Sequence, residues 1–282
     1  MALRSYLHST FDPRRIPGLQ AWYDAADSAS ITLDSGRVSQ WSDKSGNARH
    51  ATNTTSGSTQ PSYTTAARNN LNVVRFVAAS TQRLTIPSST AAFKFLHDGT
   101  PYWWIAVNTF GTVSNPGALY ILFSTSPASA QSGYYVSYED TAGVGNDAAE
   151  ISVGRGVGGS PAAETTIPSR ASIQTAYQNI WAANTLLVSD CLMSPNNATA
   201  SERIALSVNG ATAIKGNTFT GAVSTANASN NLSIGVSLTS GTYYYPLQGD
   251  ICELMFFNEQ PTAAARDLIR RYLSHKWGVT VA

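Results

Sequence analysis

Short apolar stretches separated by Gly-, Asp-, Asn- and Ser-containing turns run through most of this chain, and a helical period follows only near its end. Residues 251–257, bounded by a Gly-Asp turn and by Asn258, form an apolar run with one charge, Glu253, in its middle. A run that short and that rich in bulky apolar residues predicts a strand buried on both faces. Pro261 ends it, and Thr262 is placed to cap a helix by accepting a backbone N–H of the first turn. Ala265, Leu268, Ile269, Tyr272, Leu273, Lys276 and Trp277 then recur at helical spacing. Gly278 can take the left-handed conformation that closes a helix. Upstream, residues 102–107, 119–123, 134–138, 151–153, 180–188 and 232–236 read as strands. Residues 203–208 alternate with Ile204, Leu206 and Val208 inward, and Asn209-Gly210 predicts a tight hairpin returning along 211–214. The Gly-, Ala- and Ser-rich stretch 154–168 reads as a long surface loop. Trp22, Trp41, Trp103 or Trp104, Phe256 and Trp277 are the expected large core residues.

No fixed-period repeat and no linker divides the chain, so 282 residues read as an arm over residues 1–17 and one domain over 18–282. Charged residues make up 12%, and the formal net charge is +1. That balance supplies no field for nucleic acid or an anionic membrane, and no apolar window has the ~20 residues of a span. The first residues show no secretory apolar core or cleavage site, so export by the common route is not expected. Cys191 and Cys252 fit neither a metal spacing nor a disulfide framework, and both are expected to be reduced core residues.

The stretches 19–27, 38–47 and 49–52 resemble the opening of laminin-G-like, concanavalin A-like jelly-roll domains. Residues 60–63, 71–76 and 83–86 continue the pattern, while 249–253 and 270–278 match the family's last strand and helix. The resemblance implies an all-β fold, a two-sheet antiparallel jelly-roll sandwich with one short C-terminal helix. Such domains recur in bacterial surface proteins and tailed-phage structural proteins. The expectation drawn from this, with the missing leader and the sparse charge, is a non-enzymatic virion structural protein of a tailed phage. It would be a head-decoration, fibre or tail-associated subunit, with possible glycan or host-surface binding. The alternative is a carbohydrate-binding or adhesion module of a bacterial surface protein. Expected partners are other virion subunits or sister copies in a homo-oligomer and a cell-surface glycan. Nucleic acid and membrane are not among them.

The chemistry read from the residues fits a protein without catalysis. Glu253 is expected to be structural, because a buried charge needs a partner. The facing carboxylate pair a glycosidase requires does not stand out, and Asp147 and Glu150 suit a loop. Asp24, Asp27, Asp34 and Asp43 crowd the N-terminal turns, where calcium would find oxygen ligands but where Asp is also favoured for its own backbone bonds. His50 has no second histidine at ligand spacing. Neither cofactor nor metal is therefore expected. Tyr243, Tyr244 and Tyr245 could stack on sugar rings or begin a strand, and Tyr134, Tyr135 and Tyr138 pose the same choice. In the arm, Leu3, Tyr6, Leu7 and Phe11 are candidate apolar anchors and Arg14 and Arg15 candidate bidentate contacts to another subunit. An ordered lead-in packed on its own domain is the other reading.

Overall fold

The strand Gly249–Phe257 is buried along its whole length, because both its edges and both its faces are covered. The computed structural model describes residues 11–111, 119–125, 132–140, 149–156, 164–166, 184–215, 224–239 and 241–282. Along one edge of the closing strand lies Leu19–Asp24, with Trp22 opposite Met255 and Asp24 opposite Glu253. The same edge continues with Leu71–Phe76, where Gly249 faces Phe76. On the other edge lies Tyr102–Asn108, followed outward by Leu187–Met193, Ile204–Val208 and Ile214–Lys215. The pairing with Tyr102–Asn108 slips between Ile251 and Glu253, and this irregularity turns Cys252 and Glu253 toward the same side.

A second layer runs in the spatial order Ile31–Asp34, Arg37–Trp41, Ala51–Thr52, Leu84–Thr85, Ser233–Ile234, Leu119–Ser124, Gly133–Asp140, Ala149–Gly156 and Glu164–Thr166. A pairing of Arg37 with Ser62 joins the layers into one curled antiparallel network. Alternation along the strands then builds two cores. Ala21, Tyr23, Trp104, Ala106, Leu254 and Phe256 meet Val38, Trp41, Leu84, Phe123 and Val136 between the layers. On the other face of the first layer, Trp22, Trp103, Ile105, Met255 and Phe257 meet the helix Ala263–Trp277 through Ile269, Tyr272, Leu273 and Trp277. Both Trp103 and Trp104 are thus fully buried, on opposite faces of one strand. The fold is all-β and antiparallel, with one α-helix among the described residues.

The helix obeys its local signals. Thr262 Oγ1 accepts from the Ala265 N–H at 3.2 Å, and Gly278 adopts φ 72°. Its N–H donates to the Ser274 carbonyl at 2.9 Å. The turn at Asn209-Gly210 also forms, both residues at positive φ, but the returning ladder starts only at Ile214, opposite Leu206, and not along 211–213. Two more expectations change. The strand expected over 180–188 begins, among the described residues, at Leu187, and 180–183 lie outside them. The stretch 154–168 is not one loop, since Gly154 to Gly156 finish a strand that pairs with Glu164–Thr166. Ladder bonds are made by backbone, so small side chains there did not prevent pairing.

Candidate functional site

The most highly charged interior lies under the helix. Glu253 Oε1 accepts from Trp22 Nε1 at 2.8 Å and Tyr272 Oη at 3.2 Å. Its Oε2 accepts from Lys276 Nζ at 2.7 Å and Trp277 Nε1 at 2.8 Å. Lys276 Nζ also reaches Asp24 Oδ1 at 2.6 Å, and Lys44 Nζ joins Asp24 Oδ2 at 2.9 Å to Asp27 Oδ2 at 2.7 Å. Burial pushes the Glu253 carboxyl above its ordinary value, Lys276 opposing and Asp24 adding to the rise. Burial works against the charge on Asp24 too, but Lys276 and Lys44 outweigh it and hold that carboxyl low. Both oxygens of Glu253 are saturated, which is the arrangement of a strut between strand and helix. Two further buried carboxylates are matched in the same way. Asp190 is gripped by Arg270 at 2.9 and 2.7 Å, and Asp250 by Arg75 at 2.6 and 3.0 Å with Arg68 beside it.

The accessible chemistry lies on the opposite side of the molecule, on the outward face of the second layer. Thr32, Gln40, Thr52, Thr85, Ser233, Ser124 and Tyr135 stand directly opposite one another from strand to strand. Their chain neighbours Trp41, Ala51, Leu84, Ile234, Phe123, Tyr134 and Val136 point into the core, so this row faces away from it. It is a line of hydroxyls and amides without a charge, exposed or half-buried from Thr32 to Thr85 and buried at Ser233, Ser124 and Tyr135. Thr85 Oγ1 and Ser233 Oγ are 3.2 Å apart, and Ser124 Oγ lies 3.5 Å from Ser237 Oγ. At the Gln40–Thr52 end the row opens into a groove of about 390 Å³ whose walls include Arg49, His50, Ser88 and Ser89, with Ile86, Pro87 and Ala92 as apolar surface.

The wall at residues 48–50 is held by Asp43. Its carboxylate accepts from the N–H groups of Trp22 at 2.9 Å, Ser45 at 2.8 Å and Arg49 at 3.1 Å, and from Ser45 Oγ at 2.8 Å. The Asp43 N–H donates to His50 Nδ1 at 3.1 Å, which assigns the proton of a neutral His50 ring to Nε2. These bonds organise the groove wall before any ligand arrives.

At its other end the row meets the hairpin of Ser237–Thr239 with Thr242–Tyr244. Tyr244 and Tyr245 are 43% and 38% exposed, with ring centroids 6.1 Å apart. Tyr243 is half-buried, with the Arg83 guanidinium 3.8 Å over its ring. Tyr243 and Tyr244 therefore sit in a short strand and yet leave an aromatic surface. Tyr134 is buried and Tyr135 nearly so, while the side chain of Tyr138 lies outside the described residues.

In the arm, Leu3, Tyr6 and Leu7 lie outside the described residues. Phe11 packs on Tyr272 of the helix at 5.2 Å, and Arg14 grips Asp12 at 2.9 and 2.7 Å. Both are engaged within the chain, and Arg15 is exposed. The N-terminal acids are dispersed: Asp24 and Asp27 turn to Lys44, Asp34 accepts from Ser35 Oγ at 3.1 Å, and Asp43 binds the loop. Among the described residues no group of acids, histidines and cysteines is arranged to hold a metal. No helix among them is long and apolar enough to cross a membrane.

No protein-family model matches the chain, and no curated protein matches it. Solved structures are similar in fold. A Trypanosoma rangeli sialidase mutant displaying trans-sialidase activity is 13% identical, with a TM-score of 0.51 over 99% of this chain and 38% of that one. The Trypanosoma rangeli sialidase in complex with 2,3-difluorosialic acid is 12% identical, with a TM-score of 0.51 over 96% and 36%. The K499G mutant of NanB sialidase from Streptococcus pneumoniae is 14% identical, with a TM-score of 0.45 over 68% and 26%. This chain spans little more than a third of the Trypanosoma rangeli chains, and at such identities the likeness is one of fold. It nonetheless corrects the functional expectation. The Trypanosoma rangeli structures that share the fold are sialidases, not phage structural proteins, and the expectation of a tailed-phage virion subunit is set aside.

Proposed function

We propose that the chain is a non-catalytic carbohydrate-binding domain of the adhesion type carried by bacterial surface proteins. Its lectin-like sandwich would have the jelly-roll connectivity implied by the sequence resemblance. The observation that carries this reading is the partly exposed, uncharged stretch Gln40, Thr52 and Thr85 on the second layer with a preformed groove beside it, together with the exposed pair Tyr244 and Tyr245. Sugars offer alternating hydroxyls and apolar ring faces. Gln40, Thr52 and Ser88 supply hydrogen-bond partners for the first, and Tyr244 and Tyr245 a stacking surface for the second.

Among the described residues the buried acids are already engaged. Asp24, Asp190, Asp250 and Glu253 are each tied to a cation, and Asp43 to backbone and hydroxyl donors. Most glycosidases need a carboxylic acid and a second carboxylate facing one bond, and sialidases replace the nucleophilic carboxylate with a tyrosine. A glycan microarray tests the proposal: binding is expected, and mass spectrometry of the bound oligosaccharide should show it intact. Absence of binding across the array, or shortened products, would overturn it.

A further inference from the structure

We propose that the groove on the second layer selects saccharides bearing a carboxylate, with Arg49 as the selecting residue. This rests on the glycan-binding reading above. Arg49 is the one permanently charged side chain in the groove wall. Its Nη1 gives its hydrogens to Gln20, to the backbone carbonyl at 3.0 Å and to Oε1 at 2.8 Å. The Nε–Nη2 edge has no partner among the described residues, and that edge is the fork that holds a carboxylate side-on through two parallel bonds. The guanidinium also lies 5.3 Å over the Phe93 ring.

The acid nearest in effect, Asp43, is already held by the N–H groups of Trp22, Ser45 and Arg49 and by the Ser45 hydroxyl. Burial accordingly pulls the Arg49 guanidinium below its ordinary value, with Asp43 and Tyr23 only partly offsetting it. Every other deeply buried charge described above has an opposite charge in contact or is ringed by donors. A half-buried cation without one gains most from a ligand that brings the charge. His50 Nε2–H and the Ser88 hydroxyl in the same wall add donors suited to a carboxylate or to its ring hydroxyls.

The test is a glycan microarray printed twice, once native and once with its carboxylates methyl-esterified. The wild-type chain is expected to mark acidic glycans on the native print and to lose at least tenfold in signal on the esterified one. Arg49→Gln should bring native binding down to the esterified level, while Arg49→Lys keeps part of the preference. Thermal melts confirm that each variant is folded. Should Arg49→Gln fail to fold, the two prints with wild type alone decide. Equal binding to both prints, or an acid preference surviving in Arg49→Gln, overturns the assignment and leaves glycan binding standing. Binding to neither print overturns the glycan-binding reading itself.

Discussion

Lys276 holds two carboxylates at once, Asp24 at 2.6 Å and Glu253 at 2.7 Å, in an interior closed to water. Removing one member of a buried ion group leaves the rest uncompensated. Lys276→Met is therefore expected to cost about 3–5 kcal/mol in urea unfolding, and an unchanged midpoint would refute the strut. The pH dependence follows from the same residues. Asp24 is held below its ordinary 3.8 in the folded chain. Its contribution is fully present above 3.8 and is lost as pH falls through the folded value. Glu253 runs the other way: raised above 4.5, it favours the fold below 4.5 and loses that contribution as pH rises through its folded value. Comparing wild type with Asp24→Asn isolates the first effect, and the variant should show a flatter stability profile below pH 3.8. The thiols give a further check. Burial pushes Cys191 and Cys252 far up, so both should resist alkylation in the native chain and react only after unfolding; labelling of either in native buffer would contradict their placement.

At the scale of elements, the closing strand and helix were legible because their signals are local. An apolar run bounded by turn residues, a Thr cap and a Gly stop each act within a few positions of themselves. Trp277→Ala should cost about 3–5 kcal/mol, read as a lowered melting temperature, because the ring is 1% exposed between helix and sheet. Gly249→Ala should be still more damaging. The residue sits at φ 153°, and an added Cβ would collide with the Thr109 carbonyl. Less legible was the hairpin of Ser62–Arg68 with Leu71–Phe76, which turns through Asn69 at φ 46° and Asn70 at φ 60°. Asn tolerates that conformation, but two adjacent Asn residues are a weaker turn signal than Asn-Gly. The binding face was hidden for a different reason. Thr85 and Ser233 are 148 residues apart in sequence and neighbours in space, and strands of two residues carry no period to read. Sparse charge with abundant hydroxyls was the one sequence signal for that face. It gave a composition and not a place.

The whole molecule keeps its buried ion groups apart from the hydroxyl- and amide-lined stretch of the second layer, where Arg49 is the one permanent charge in the groove wall. Ion groups lock the helix against the first layer, and the second layer presents Thr32, Gln40, Thr52 and Thr85 at its surface. The fold is shared with Trypanosoma rangeli sialidases over about a third of their length. The central claim is that this outward face binds sugar. Calorimetric titration of a glycan identified on the array, against wild type and the double variant Gln40→Ala/Thr52→Val, tests it most directly. Two lost hydrogen bonds at about 1 kcal/mol each correspond to roughly a tenfold to thirtyfold loss of affinity, expected with an unchanged melting temperature. An affinity equal to wild type in a folded double variant would contradict the account.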